Sequence, residues 1–208
     1  MPKRNEVRPA LREAPEAGQP DQEIGDLVRQ AQIGNVSAIS ELYLSHHQQI
    51  FRFIWSRVYD PHEAEDLTME VFIRMLNHLS SYQDRSVPFR AWLYEIARNL
   101  VIDRLRRNGH HQTLPLEDFT NYPVGGDSLE DVAEYRLTLS LVQQLLSQIH
   151  PDEAEVVSLR FLGGLSLQET AYATQKTVAA VKALQHRGLA SLKQFMNPEQ
   201  QVQHDRSK

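Results

Sequence analysis

The chain has 208 residues, 41% hydrophobic and 24% charged, which is the composition of a soluble globular protein of one or two domains. Its formal net charge of -5 excludes a uniformly basic nucleic-acid coat, so affinity for a polyanion must come from local patches. The absence of cysteine excludes disulfides and thiolate zinc sites. No run approaches the roughly 20 apolar residues of a membrane span, and the N-terminus lacks the apolar core of a signal peptide. By elimination, we expect a cytoplasmic protein with no membrane insertion.

Helical periodicity runs through most of the chain and no strand pattern is convincing, so we expect an all-α fold of two small helical domains. The first domain is predicted over residues 24–107 and the second over 129–196. Residues 1–23 and 197–208 are polar and are predicted to be disordered tails. Residues 108–128 contain glycines and prolines with little periodicity, which indicates a flexible linker between the domains.

Two adjacent histidines in this linker, His110 and His111, raise the question of a metal site. Neighbouring residues do not share a helix face, and no acidic residue or third histidine stands at ligand spacing. We therefore predict no metal. The chain also shows no paired carboxylates with a pocket, no glycine-rich phosphate loop and no nucleophile motif, so we expect neither a cofactor nor enzymatic activity.

The third predicted helix begins at Pro61, a residue suited to a first helical turn. Its first half is acidic, and acidic groups near a helix N-terminus complement the helix dipole. Ordinary helix electrostatics therefore explains the charge on spacing alone. The alternative is that these acids form an acidic, partly apolar face for a basic partner. The acids concerned are Glu63, Glu65, Asp66 and Glu70.

The following predicted helix lies within residues 87–107 and carries one apolar face made by Phe89, Leu93, Ile96 and Leu100. The polar and aromatic residues that fall mostly off this face are Arg90, Tyr94, Arg98 and Asn99.

Aromatic residues interleave with arginine and asparagine around the loop before this helix and along its first turns. Aromatic rings stack on unpaired bases, while Arg and Asn side chains hydrogen-bond to them. Trp92 taken alone is better explained as a core residue, whereas Arg98 and Asn99 lie off the buried row. The candidate contacts to unpaired DNA are Tyr82, Arg85, Trp92, Arg98 and Asn99.

A helix-turn-helix is predicted near the C-terminus. Ser166 and Glu169 have the spacing of a capping box for a short helix, and a longer helix follows a brief turn. No Asp or Glu lies between Thr170 and Pro198, although the whole chain is acidic. This local electropositive patch suits phosphate contacts and base reading in a major groove. Its cationic residues and neighbouring histidine are Lys176, Lys182, His186, Arg187 and Lys193. Five apolar residues of the longer helix are expected to point inward: Val178, Val181, Leu184, Leu189 and Leu192.

Three stretches together resemble the extracytoplasmic function (ECF) group of bacterial RNA polymerase sigma factors. They read EAEDLTMEVFIRML, PFRAWLYEIARNLVIDRLRR and LGGLSLQETAYATQKTVAAVKALQHRGLASL, in that order. The resemblance covers about residues 24–107 and 129–196, and the order of motifs is more specific than any one of them. It implies an alternative sigma factor that binds core polymerase, recognises and melts a promoter, and starts transcription without catalysing chemistry itself.

The resemblance also implies roles for individual residues. The acidic helix matches the element that docks on the clamp coiled coil of the polymerase β′ subunit, with Asp66, Leu67, Glu70 and Phe72 at motif positions. Trp92 and Asn99 match the element that captures an unpaired base of the −10 motif. The last helix matches the reader of the −35 duplex, which implicates Lys182, Ala183, His186 and Arg187. An anti-sigma factor is an expected regulator of proteins in this group.

Some positions depart from the family pattern. Met69 stands where glutamine is common, Gln175 occupies a turn where glycine is usual, and Ala183 and Leu184 replace Ser and Arg. Met69 removes one polar contact to core polymerase, and Ala183 and Leu184 remove polar groups and so alter the expected −35 reading. Two rival functions stay open at this point: a stand-alone helix-turn-helix regulator, and a helical enzyme or interaction module. The first rival leaves the acidic helix and the aromatic–arginine cluster without a use.

Overall fold

The computed structural model describes residues 19–58, 60–83, 87–108 and 129–196. These parts of the chain are helical and contain no strand, which confirms the predicted all-α class. The N-terminal unit comprises α1 (Gln19–Gln32), α2 (Val36–Val58), α3 (Pro61–His78) and α4 (Phe89–Asn108), with a 3₁₀ turn at Leu79–Ser81. The C-terminal unit comprises α5 (Leu129–Ser147), α6 (Pro151–Val157), α7 (Leu167–Thr174) and α8 (Val178–Met196).

Helix boundaries in the N-terminal unit follow local capping chemistry. The Asn35 side chain accepts hydrogen bonds from the N–H groups of Ser37 and Ala38, which caps α2. Asp60 caps α3 by accepting from two backbone N–H groups, and Pro61 takes the first helical position as predicted. Helix α1 begins at Gln19, within the segment predicted as a tail, so the helical chain starts before the apolar periodicity becomes visible.

The core of the N-terminal unit lies where α2 packs against α1, α3 and α4. Its largest fully buried side chains include Leu42, Ile50, Phe53, Ile54 and Met75. Burying each such side chain stabilises the fold by about 1.5–3 kcal/mol. The core fixes the orientation of α3 and α4, whose remaining faces carry the candidate functional residues.

In the C-terminal unit, α6 continues into a π-helical turn over Ser158–Leu162 and the chain then reverses at two glycines. Helix α8 crosses α6 at Gly188, where a Cβ atom would lie only 2.9 Å from Cγ2 of Val157 and 3.2 Å from Cβ of Glu153. A glycine is therefore needed for this helix pair to approach so closely. Val181 and Leu184 complete the small core between α8 and α7.

The two units pack against each other rather than standing apart. Leu159, Leu165 and Ala173 of the C-terminal unit belong to the same buried cluster as the N-terminal core. The sequence places Tyr94 off the buried face of α4, but its exposed fraction is 0%. The reason is that the C-terminal unit covers a second side of α4, so this helix is buried on two sides instead of along one stripe.

Candidate nucleic-acid interface

An aromatic cluster forms the start of α4 and the loop before it. The Trp92 ring lies 4.8 Å from the Tyr82 ring and 5.7 Å from the Phe89 ring, centroid to centroid. Tyr82 is buried, and its hydroxyl donates a 2.6 Å hydrogen bond to the carbonyl of Val87. Trp92 is half-buried. The structure therefore places Tyr82 as a support that holds the loop and the indole, with Trp92 nearer the surface.

The other candidate contacts on α4 differ in what they touch. Asn99 is exposed, so its amide is available to a partner. The Arg98 guanidinium instead donates a 3.0 Å hydrogen bond to Glu155 of α6, and both side chains are largely buried. Arg85 lies outside the described residues. The structure thus leaves Asn99 on an open surface and places Arg98 in a contact with the C-terminal unit.

The helix-turn-helix has the predicted local geometry. The Ser166 hydroxyl accepts a hydrogen bond from the Glu169 N–H at 3.2 Å, and the Glu169 carboxylate accepts from the Ser166 N–H at 2.7 Å, which confirms the capping box. Gln175 adopts the left-handed conformation at φ 55° that glycine usually provides. The turn nevertheless closes, because the N–H of Lys176 donates to the carbonyl of Ala171 at 2.9 Å. Thr177 then caps α8 by accepting from Ala180.

The candidate DNA-contacting residues on α8 and in the turn before it fall into two groups. Lys182, Ala183 and His186 are exposed. Lys176 and Arg187 are held by acids of α6: the Lys176 ammonium lies 3.7 Å from Asp152, and the Arg187 guanidinium lies 3.0 Å from Glu153. The acid-free helix therefore presents its cations partly to solvent and partly to acids within its own unit.

The inward face of α8 differs from the expectation at two positions. Val181 and Leu184 are buried as predicted. Val178 and Leu189 are instead 37% and 40% exposed, because the close contact at Gly188 brings α6 to a different part of the helix surface. Leu184 fills the core between α7 and α8, so it is a packing residue at a position where the family commonly has a polar one.

Helix α3 presents an exposed face that the sequence reading only partly identified. Asp66 is exposed, and Glu70 forms a 2.8 Å ion pair with Arg74 in which both side chains are 41% exposed. Met69 and Ile73 lie between and beside these acids, with exposed fractions of 53% and 46%. Met69, Glu70 and Ile73 follow Asp66 by three, four and seven positions. This helical spacing is the signal that could have placed all four on one face.

The remaining two docking candidates lie deeper in the unit. Leu67 is half-buried, and Phe72 is buried with its ring 4.8 Å from that of Tyr43. Phe72 therefore supports the exposed face of α3 from inside. Leu76, 44% exposed, extends that face toward the C-terminal end of the helix. We call the set Asp66, Met69, Glu70, Ile73 and Leu76 the α3 face.

The strongest electrostatic contact between the two units joins Arg90 to Glu169. Burial alone raises the pKa of the Glu169 carboxyl, but hydrogen bonds from Arg90 and Ser166 outweigh it and leave the pKa below its usual value. Two guanidinium nitrogens of Arg90 bond the two carboxylate oxygens at 3.0 and 2.9 Å. This forked arrangement is the strong form of an arginine–carboxylate contact.

No cluster of three or more His, Asp or Glu side chains is placed to hold a metal ion in the part of the chain that the structure describes. Among the helices described, none combines the length and the apolar character needed to cross a bilayer. The histidines at positions 110 and 111 lie outside the described residues.

A two-unit helical fold that contains a helix-turn-helix is typical of DNA-binding proteins, and comparison with known proteins gives the family. The sigma-70 region 2 family matches residues 42–111, and the sigma-70 region 4 family matches residues 145–194. The chain belongs to the ECF RNA polymerase sigma factors, an alternative group of transcription initiation factors.

Individual relatives agree with this assignment. The ECF RNA polymerase sigma factor BldN of Streptomyces coelicolor is 33% identical over 171 residues, which cover 82% of this chain and 65% of BldN. The corresponding factor SigX of Bacillus subtilis is 34% identical over 159 residues, covering 74% of this chain and 81% of SigX. A solved structure of CnrH in complex with the cytosolic domain of CnrY has the same fold, with a TM-score of 0.66 and 24% identity; the match covers 83% of this chain and 96% of that one.

Proposed function

We propose that this sigma factor divides promoter recognition among three surfaces. The α3 face binds core RNA polymerase at the β′ clamp coiled coil. The start of α4 and the loop before it trap unpaired bases of the −10 motif, and α8 reads the duplex −35 motif. One observation carries the proposal: α3 exposes a row of apolar residues between carboxylates, a surface for which a stand-alone DNA-binding regulator has no use.

The docking role of the α3 face is tested by charge reversal. Asp66→Lys with Glu70→Lys should lower affinity for core polymerase at least about a hundredfold, since like charges facing each other at an interface cost several kcal/mol. The fold should survive, because Asp66 is exposed and the exposed Glu70–Arg74 pair contributes only about 0.3–0.5 kcal/mol.

The matched control is Glu23→Lys with Asp26→Lys, which makes the same change in net charge on an exposed part of α1. A titration of labelled chain with core polymerase measures both variants, and thermal unfolding checks their stability. Equal core affinities for the α3 and α1 variants would show that α3 does not dock on polymerase.

The −10 role rests on the exposed amide of Asn99, which lies two turns along α4 from the half-buried indole of Trp92. Extracting a base from a duplex costs a few kcal/mol, which pocket contacts must offset. Asn99→Ala should therefore leave core binding intact and reduce open-complex formation at a cognate promoter. Permanganate reactivity of unpaired thymines measures the melting, and full melting by the variant contradicts this assignment.

The same proposal carries three broader statements about the chain. It acts without catalysis, since the polymerase supplies the chemistry and the metal ions. It works in the cytoplasm, where core polymerase and the chromosome are. Because a solved structure of the same fold is a complex with the cytosolic domain of a second protein, we include an anti-sigma protein among its regulators. Transcription assays with core polymerase and an anti-sigma candidate test these statements together.

A further inference from the structure

A short turn connects α3 to the loop before α4. The 3₁₀ turn Leu79–Ser81 ends at Tyr82, whose backbone is extended, with φ −66° and ψ 134°. The last carbonyl groups of a helix have no partner within the helix, so such an ending needs hydrogen-bond donors from elsewhere. The N–H of Tyr82 donates to the carbonyl of Leu79 at 3.1 Å and supplies one of them.

Two further hydrogen bonds to this turn come from α1. The side-chain amide of Gln32, the last residue of α1, donates to the carbonyl of Leu79 at 2.9 Å and to the carbonyl of Tyr82 at 2.8 Å. An amide nitrogen carries two hydrogens, so this one group serves both acceptors. The two bonds therefore fix the end of α1 to the exit of α3, which lies 47 and 50 positions further along the chain.

The position of Gln32 is itself set by the way α1 ends. Gly34 has a left-handed backbone at φ 85°. Its N–H donates to the carbonyl of Ala31 at 3.0 Å, and the N–H of Asn35 donates to the carbonyl of Gln30 at 3.1 Å. These are the two bonds of a Schellman motif, the usual closure of a helix at a glycine. Helix α1 also packs on α2, on the 3₁₀ turn and on α4, so the Gln32 amide is presented from a well-anchored element.

The turn held by Gln32 leads directly into the aromatic cluster at the start of α4. The Tyr82 hydroxyl donates to the carbonyl of Val87 at 2.6 Å, so Tyr82 joins the two described ends of the loop. The Tyr82 ring lies 4.8 Å from the ring of Trp92 and 5.8 Å from that of Phe89, centroid to centroid. A displacement of the Tyr82 backbone would therefore move the ring that supports the indole of Trp92.

We propose that Gln32 is a positioning residue for −10 recognition. By holding the turn at the exit of α3, its amide sets where Tyr82 places the indole of Trp92. The sigma-70 region 2 match begins at residue 42, so this role falls on a helix outside the matched part of the chain. The link to the −10 motif rests on the proposed function of α4, whereas the placement of the aromatic cluster rests on the contacts alone.

The placement of the cluster is tested on the free full-length chain by fluorine NMR. The chain has two tryptophans, Trp55 and Trp92, so incorporation of 5-fluorotryptophan gives two resonances, and Trp92→Phe assigns them. Gln32→Met keeps the length of the side chain and removes both donors, so it should shift the Trp92 resonance. The Trp55 resonance is the internal control and should not move, because Trp55 lies near the far end of α2, about 28 Å along the helix from the turn that follows Gln32.

The effect on DNA binding is measured with holoenzyme. The probe is a labelled single-stranded oligonucleotide selected from a random pool by wild-type holoenzyme, and fluorescence anisotropy gives its affinity. If the displaced turn leaves about a tenth of the molecules competent to bind, Gln32→Met should weaken probe binding about tenfold. Affinities for core polymerase and for a −35 duplex should not change, since neither proposed surface includes the turn.

The matched control is Asn35→Ala, which removes the cap of α2 three positions from Gln32 and lowers stability without removing a bond to the Leu79–Tyr82 turn. Its Trp92 resonance and probe affinity should equal those of wild type, and circular dichroism checks that both variants fold. An unmoved Trp92 resonance in Gln32→Met, or equal losses of probe affinity in the two variants, overturns the positioning role. A shifted resonance with wild-type probe affinity supports the placement of the cluster by Gln32 and contradicts the −10 role proposed for α4.

Discussion

Two of the cations of α8, Lys182 and Arg187, differ in what else they contact, and this difference predicts two distinct mutant phenotypes. Lys182 is exposed on the outer face. Arg187 is paired at 3.0 Å with Glu153, whose side chain is only 11% exposed, while the guanidinium is 59% exposed. On the proposed role of α8, removing Lys182 therefore removes a DNA contact alone. Removing Arg187 also leaves a nearly buried carboxylate without its partner.

The magnitudes follow from these surroundings. Lys182→Ala should reduce the slope of log K against log salt by about 0.9, which weakens −35 duplex binding about fivefold near 0.15 M salt. Its melting temperature should not change. For Arg187→Ala, an unsatisfied buried acceptor costs about 1–3 kcal/mol. Because the arginine is well exposed, we expect the low end, about 1 kcal/mol, or a fall of about 2–4 °C in melting temperature.

The assay is fluorescence anisotropy of a labelled −35 duplex with holoenzyme over about 50–200 mM salt, together with calorimetry of the free chain. Arg187→Gln with Glu153→Gln should recover stability without recovering the DNA contact, since no charge is then left buried. Arg29→Ala on α1 is the matched control. Equal losses of melting temperature for the Lys182 and Arg187 variants, or an unchanged salt slope for Lys182→Ala, would refute this reasoning.

Three other predictions concern stability. Gly188→Val should destabilise the chain by about 1–3 kcal/mol, since its side chain would overlap Val157 and Glu153; chemical denaturation measures this, and wild-type stability would contradict the packing. Gln175→Gly should stabilise it by about 1 kcal/mol by relieving the left-handed strain, since the hydrogen bond to Glu95 that is lost is exposed; calorimetry measures this, and a melting temperature below that of wild type would contradict it. Burial lowers the pKa of His46 below 6.5, so the free energy of unfolding should fall as pH drops below 6.5. The fall in unfolding free energy between pH 7.5 and pH 5.5 should be smaller in His46→Gln than in wild type. Equal falls in the two proteins would contradict this prediction.

The parts of the fold that the sequence predicted are those determined by neighbouring residues. Asp60 and Pro61 mark the start of α3, and Ser166 with Glu169 caps α7, because the hydrogen bonds involved join residues two or three positions apart. The helical class and the helix-turn-helix follow from such signals and from periodicity.

The parts that the sequence did not predict depend on contacts between distant residues. Tyr94 is buried by Gly163, which lies 69 positions away, and no helical period reports that a second unit covers this side of α4. Leu189 is exposed for a similar reason, since Gly188 sets where α6 meets α8. Met69 and Ile73 are apolar at positions outside the buried row of α3, and only the three-dimensional structure shows that they remain exposed.

The acids of α6 explain how a chain of net charge -5 can carry a helix that we propose to read DNA. Three acidic residues of this short helix each approach a different cationic residue: Asp152 with Lys176, Glu153 with Arg187, and Glu155 with Arg98. These acids are paired with cations of the C-terminal unit and of α4, so their charge organises that unit and its contact with α4. In each pair, the carboxylate competes with DNA phosphate for the cation. The isolated chain should therefore bind DNA weakly. Under the proposed function, strong promoter binding then depends on polymerase, on which the two proposed DNA-contacting surfaces act together on the same duplex.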